Sequence, residues 1–181
     1  KGMIQHFMSI AAASPVPIVL YNVPGRTGKN MEADTAIYLA HNNPNIIGIK
    51  EASGDLIQVM NIIKRKPDNF LVLSGEDALT MPLIAAGANG IISVTANAYP
   101  KAIAKMVKAG LAGDNKTAQK IHNDLLQFSQ LIFEDGNPSG IKAALQIKEI
   151  VHSAVRMPLT TINRSLYGKI DAEINEIPYE K

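Results

Sequence analysis

The 181-residue chain contains no cysteine, few aromatic residues and little net charge. The absence of cysteine excludes a disulfide scaffold, a thiolate zinc site and a cysteine nucleophile, and it suits a reducing compartment. The formal net charge is +2, and no dense lysine and arginine cluster is interleaved with aromatic residues, so we expect no nucleic-acid partner. No apolar run reaches the roughly 18 residues that a membrane span needs. We therefore expect a cytoplasmic protein without a membrane partner.

The composition is that of a globular domain, with 46% apolar and 19% charged residues. A chain of this length buries roughly two-thirds of the surface of its unfolded state, so a real core is expected. The sequence does not start with methionine, and residues 1–7 resemble the interior of a domain rather than a signal peptide. We therefore expect a piece of a longer protein.

The pattern of strand, loop and helix repeats up to residue 98. Short apolar runs predict strands over residues 17–21, 46–50, 70–73 and 90–94. The segments between and before them predict helices over residues 3–13, 31–41, 56–65 and 77–86. Asn30 and Asp55 are the predicted N-caps of two of these helices. Pro82 predicts a kink or a late start in the last of them.

The predicted strands are apolar throughout, which indicates that both faces of the sheet are covered. Because helices separate them, neighbouring strands should be parallel with right-handed crossovers. Beyond residue 98 the pattern predicts only helices, over residues 100–109, 115–132, 139–150 and 163–173. The residues alone leave two folds open, an open doubly wound sheet and half of a (β/α)₈ barrel. A half barrel would leave the inner faces of all four strands without their normal cover. Both folds place their chemistry in the loops after the strand C-termini.

Three side chains at the predicted strand ends can carry chemistry. Lys50 ends a buried strand, and a desolvated amine is a nucleophile for Schiff-base formation. It could equally be an ordinary ion-pair partner of Glu51 or Asp55. Tyr21 offers a phenol for proton relay, or a simple wall to the site. Arg26, in a turn rich in proline and glycine, can grip a carboxylate through two hydrogen bonds, or be a solvated loop residue.

Other candidates carry weaker signals. Gly28 and Lys29 lack the spacing of a phosphate-binding loop. Glu76 and Asp77 are explained as charges at a helix N-terminus, and Lys142 is a possible residue at the mouth of a barrel. The four histidines show no metal-binding spacing, so we expect no metal; they are His6, His41, His122 and His152.

Four sequence blocks occur in order and together resemble the dihydrodipicolinate synthase family of pyruvate-dependent class I aldolases. The blocks are YNVPGRTG from Tyr21, GIKEASGD from Gly48, LSGED from Leu73 and GIISVTAN from Gly90. The similarity covers essentially the whole chain and matches the C-terminal half or more of such an enzyme. It implies a (β/α)₈ barrel, with its C-terminal half over residues 1–98 and the last barrel helix and a helical region over residues 99–181. It also implies a homotetramer for the complete protein.

The resemblance also implies roles for five residues and no cofactor. Lys50 would form the Schiff base with pyruvate, and Tyr21 would relay protons. Arg26 would bind the carboxylate of aspartate semialdehyde. Gly75 and Ile92 would line the pyruvate pocket. The product would be 4-hydroxy-tetrahydrodipicolinate, in the biosynthesis of diaminopimelate and lysine.

Parts of the family's pattern have no counterpart in this sequence. These are the first barrel strands, a pair of relay threonines, a second tyrosine contributed across a dimer, and most of the lysine feedback site. We therefore expect little or no activity from these residues alone. Two other functions remain open: a related aldolase acting on a sugar acid, and a non-catalytic flavodoxin-like module that binds an anion at its strand ends.

Overall fold

The computed structural model describes residues 1–179. The chain forms two compact units, residues 1–92 and the residues from Ser93 onward. The first unit holds a four-stranded parallel sheet whose strands are adjacent in chain order, as the alternation of strands and helices predicts. The strands are β1 (Ile18–Asn22), β2 (Ile46–Glu51), β3 (Leu71–Ser74) and β4 (Gly90–Ile91). The helices of this unit are α1 (Gly2–Ala13), α2 (Pro24–Thr27), α3 (Ala33–Asn42), α4 (Leu56–Arg65) and α5 (Thr80–Ala85).

The pairing of β1 with β2 is irregular at its start. Ile18 pairs with Ile46, but the next residue, Val19, pairs with Gly48. The strand β2 therefore carries one more residue than β1 at this point, as in a β-bulge. Beyond the bulge the register is regular, and Tyr21 pairs with Lys50.

The two faces of the sheet have different surroundings. Leu20, Ile49 and Val72 lie side by side, are at most 1% exposed, and share one core cluster with side chains of α1, α3 and α4. Val19 and Leu71, on the other face, are 38% and 39% exposed. The expectation that both faces are covered is therefore wrong for this structure, because the helices of the first unit pack on the side of Leu20.

Several boundaries in the first unit differ from the predicted ones. Asn30 is not an N-cap: α3 begins at Ala33, and its N-cap residue Glu32 makes no side-chain capping bond. Asp55 does cap α4, because its carboxylate accepts a hydrogen bond from the Gln58 amide at 3.0 Å. The predicted helix over 77–86 is a 3₁₀ turn followed by α5, in keeping with the late start that proline imposes.

The regular elements of the second unit, as far as residue 179, are all helices. Its helices are α6 (Pro100–Leu111), α7 (Asn115–Glu134), α8 (Ser139–Ile147) and α9 (Arg164–Glu176), preceded by a 3₁₀ turn over Thr95–Asn97. An apolar stripe along α7 is buried, from Ala118 to Ile132. Within residues 1–179 no helix combines the length and the apolar character that crossing a membrane would take.

Candidate functional site

Lys50 and Tyr21 lie side by side on the open face of the sheet. They are register partners near the carboxyl ends of β2 and β1. The Lys50 Nζ atom lies 4.4 Å from the centroid of the Tyr21 ring, within the range of a cation–π contact. The Tyr21 side chain is 45% exposed and that of Lys50 is half-buried. An amine and a phenol are thus held together where a small molecule can reach both.

Gly75 closes one side of this amine. It follows β3 directly, and its amide donates a hydrogen bond to the Glu51 carbonyl oxygen at 2.7 Å. A Cβ atom on this residue would lie 2.7 Å from the Ala52 Cβ and 3.0 Å from the Lys50 Cε. The first distance is one that real Cβ atoms essentially never show. A glycine is therefore required for the β3 loop to approach the lysine this closely.

Ile92 follows β4, and its amide donates to the Ser74 carbonyl oxygen at 3.0 Å. Its side chain is 45% exposed. The sequence-predicted residues Tyr21, Lys50 and Gly75 are thus brought together at one end of the sheet, and Ile92 lies at the same strand ends.

Arg26 lies in the loop that follows β1. Pro24 starts the short helix α2, which the sequence predicted as loop, and Gly28 ends it with a left-handed φ of 69°. Arg26 is in the last turn of this helix and is exposed. The guanidinium is therefore carried by a short ordered turn at the carboxyl end of the sheet.

A buried polar network lies behind the amine, on the opposite face of β2. Neighbouring residues of a strand point to opposite faces, so the Glu51 side chain points away from Lys50. It is 1% exposed. Its two carboxylate oxygens accept hydrogen bonds from the Asn22 side-chain amide at 3.0 and 3.1 Å, from the Gln58 side-chain amide at 3.0 Å and from the Ser53 backbone amide at 2.8 Å. Glu51 is thus engaged by amides, and an ion pair with Lys50 is not what the structure contains.

This network also holds the far end of the Arg26 loop. The Asn22 amide donates to the Asn30 side-chain oxygen at 2.8 Å, and the Asn22 side-chain oxygen accepts from the Met31 backbone amide at 2.9 Å. The Asn30 amide in turn donates to the Gln58 side-chain oxygen at 2.8 Å. Sequence reasoning missed these asparagines and the glutamine. The available signal was that Asn22 and Glu51 are polar residues ending consecutive apolar strands.

The weaker candidates have local partners. Burial raises the pKa of Glu76, the neighbouring Asp77 raises it further, and the Ala78 backbone amide opposes both by donating to the carboxylate. The Lys142 amine, in the second unit, donates to the carbonyl oxygen of Ala154. Among residues 1–179 no group of three or more histidine or acidic side chains is arranged to hold a metal ion.

Residues 1–177 match the sequence model of the dihydrodipicolinate synthetase family. The chain belongs to this family. It is 46% identical to the 4-hydroxy-tetrahydrodipicolinate synthase of Phocaeicola vulgatus, over 98% of this chain and 60% of that protein. The chain therefore spans about 60% of the length of the curated dihydrodipicolinate synthetase relatives that it matches.

Solved structures of dihydrodipicolinate synthases have the same fold. The Thermotoga maritima enzyme superposes with a TM-score of 0.95 at 31% identity, over 97% of this chain and 60% of that one. The Acinetobacter baumannii enzyme, described as chloride-inhibited and complexed with pyruvate, has a TM-score of 0.94 at 35% identity, over 99% and 61%. The four parallel strands are thus part of a (β/α)₈ barrel, which confirms the expected fold. The open face of the sheet corresponds to the inside of that barrel, where strand residues of one parity point inward.

Proposed function

We propose that this chain is the Schiff-base-forming part of a pyruvate-dependent aldolase, a 4-hydroxy-tetrahydrodipicolinate synthase of diaminopimelate and lysine biosynthesis. The observation that carries the proposal is the Lys50 amine beside the Tyr21 phenol, on the inward face and at the carboxyl end of the strands. Active sites of (β/α)₈ barrels lie at that end. Relatives across the family carry the name of this synthase.

The reaction begins with attack of the Lys50 amine on the ketone carbon of pyruvate. Loss of water gives a protonated imine, which acts as an electron sink. A proton leaves the methyl group, and the resulting enamine carbon attacks the aldehyde carbon of aspartate semialdehyde. The amine of that substrate then attacks the imine carbon, so that the ring closes and Lys50 is released. No organic cofactor is required for these steps.

The remaining residues are assigned by their positions. Tyr21, whose ring centroid lies 4.4 Å from the Lys50 amine, passes protons to and from the intermediates in this proposal. Arg26, exposed in the loop after β1, binds the carboxylate of the second substrate in this proposal, since a guanidinium can hold a carboxylate with two hydrogen bonds. Gly75 and Ile92 line the pyruvate pocket, the glycine by leaving room for the lysine.

In this proposal the complete protein also contains the part of the barrel that precedes these residues. The relatives are longer, and a closed barrel needs eight strands, of which this chain supplies four. We expect little or no turnover from the 181 residues alone. For the complete protein we propose a cytoplasmic homotetramer whose partners are its two small-molecule substrates.

The test uses a fusion protein. Its N-terminal part is the portion of the Phocaeicola vulgatus synthase that this chain does not cover, and its C-terminal part is this chain. Incubation with pyruvate and borohydride should add one reduced pyruvyl group, which peptide mass spectrometry should locate on Lys50. Lys50→Arg keeps the positive charge but removes the nucleophile, and should abolish the adduct. Lys29→Arg is the matched control and should leave it unchanged.

Each alternative outcome identifies a different error. An adduct on Lys29 or Lys142 means that the nucleophile is misassigned. An adduct on Lys50 without turnover of aspartate semialdehyde, but with turnover of a sugar-acid aldehyde, means that the chain is a related aldolase. No adduct on any lysine in a folded fusion protein overturns the aldolase proposal and favours a non-catalytic binding module.

A further inference from the structure

Glu51 is a buried carboxylate with no role in the reaction proposed above. It is 1% exposed, and its hydrogen-bond donors are neutral amides from three separate segments. A buried charge is costly unless it is fully hydrogen-bonded. Here two oxygens accept four contacts, so the carboxylate is satisfied and each donor is oriented by it. Such a group fixes the geometry of whatever its partners carry.

Two of those partners determine the position of the Arg26 loop, residues 23–31. Asn22 is the residue immediately before this loop, and it binds Glu51 directly. Asn30 and Met31 form its far end, and both are bonded to Asn22 or Gln58, which in turn donate to Glu51. Both ends of the loop therefore converge on one carboxylate.

The same carboxylate is adjacent in sequence to Lys50. The Glu51 carbonyl oxygen accepts a hydrogen bond from the Gly75 amide, and the preceding residue in the chain is Lys50, which carries the amine. We propose that Glu51 is a positioning residue, whose carboxylate fixes the Arg26 loop to the strand that carries Lys50. The consequence for catalysis rests on the function proposed above. By fixing the loop, Glu51 sets the distance between Lys50, to which pyruvate attaches, and Arg26, which binds the second substrate.

The hydrogen-bond pattern defines a sharp substitution. In Glu51→Gln, an NH₂ group replaces one acceptor and faces the donors of Asn22, Gln58 or Ser53. These donors cannot simply turn round, because the Asn22 oxygen already accepts from Met31 and the Gln58 oxygen already accepts from Asn30. The variant keeps the size of the side chain and changes only one hydrogen-bond acceptor into a donor. Glu32→Gln is the matched control, since this exposed residue accepts one hydrogen bond, from the Asn30 side-chain amide at 3.1 Å, and glutamine keeps an oxygen that can accept it.

The first measurement is hydrogen–deuterium exchange on the 181-residue chain. We expect residues 22–31 to exchange about tenfold faster in Glu51→Gln than in the parent, with α6 and α7 unchanged, because a buried donor is left unsatisfied at the base of the loop. Glu32→Gln should exchange as the parent does. Unchanged exchange in residues 22–31, or equal acceleration in every segment, overturns the proposal. If Glu51→Gln does not fold, Gln58→Met removes one donor to Glu51 together with the acceptor of the Asn30 amide, and should give an acceleration confined to the same residues.

The second measurement is kinetic and uses the fusion protein. Glu51→Gln should raise the KM for aspartate semialdehyde about tenfold and change the KM for pyruvate less than about threefold. A general loss of folded protein would lower kcat and leave both KM values alone. Equal changes in both KM values contradict the positioning role. If the parent fusion forms no adduct with pyruvate, the proposed function fails, whereas the exchange experiment still decides whether Glu51 anchors the loop.

Discussion

Gly75 approaches Lys50 so closely that a single methyl group between them would lie 3.0 Å from the Lys50 Cε. The contact joins the loop after β3 to the side chain at the end of β2. It limits the directions in which the lysine can extend along the open face, and so the positions that its amine can reach.

Replacing Gly75 by alanine should therefore act on the lysine. The new Cβ has to displace Ala52, Lys50 or the loop itself, and overpacking of this kind costs about 1–3 kcal/mol. We expect a lower urea midpoint for the 181-residue chain and a slower borohydride-trapped reaction of pyruvate in the fusion protein. Gly25→Ala is the control, because a Cβ there meets nothing within 4 Å. Trapping at the parental rate would show that the amine does not depend on this contact.

The Tyr21 hydroxyl can be separated from its ring by Tyr21→Phe. The phenyl ring still faces the Lys50 amine, whereas the proton-transfer group is gone. Proton transfer by a positioned side chain contributes ~10²–10⁴-fold, so trapping of pyruvate and overall turnover should both slow by about 10²-fold. Tyr38→Phe, at an exposed position in α3, should change neither rate. An effect on turnover alone would assign Tyr21 to the second half-reaction only.

Arg26→Ala should distinguish the two substrates. Because the guanidinium is assigned to the carboxylate of aspartate semialdehyde, the rate of pyruvate trapping should stay within about threefold of the parent. Loss of a charge-assisted hydrogen bond of ~1.5–3 kcal/mol should raise the KM for aspartate semialdehyde about ten- to hundredfold. Lys29→Ala removes a neighbouring cation from the same loop and should leave both constants in place. A large loss of trapping in Arg26→Ala would instead place the arginine on pyruvate.

The raised pKa of Glu76 predicts a pH-dependent stability. Burial and the neighbouring Asp77 raise this pKa above its ordinary value of 4.5, so the folded chain holds the proton more firmly than the unfolded chain. The contribution of Glu76 is therefore most favourable at low pH and declines as the pH rises through 4.5 toward the folded pKa. In urea titrations between about pH 4 and pH 8, Glu76→Gln should become more stable relative to the parent as the pH rises. A difference that does not vary with pH would contradict the shift.

The sheet and its active edge were predictable because they depend on local signals. Apolar runs bounded by proline, glycine and polar residues mark the strands, and parallel strands bring Tyr21 and Lys50 to one edge. The anchoring role of Glu51 was not predictable in this way, since its partner Asn22 lies 29 residues away in sequence. The open face follows from the half-barrel interpretation, and not from the apolar strands by themselves. An apolar strand shows that a face is suited to burial, but not which residues bury it.

The bulge at the start of β2 has a consequence for how this chain can change. If Ile47 were instead paired with Val19 in a regular register, Tyr21 would pair with Ile49, whose side chain is fully buried on the opposite face. Any substitution at Ile47 that keeps the bulge preserves the match between phenol and amine. A deletion of that one residue would also preserve it, because Gly48 would then follow Ile46 in step with Ile18 and Val19. A deletion of Ile49 would instead carry Lys50 toward the helices and turn the Glu51 carboxylate to the open face, because a shift of one residue inverts a strand. The phenol and the amine therefore stay matched whether Ile47 is replaced or lost, but not when a residue is lost between Gly48 and Lys50.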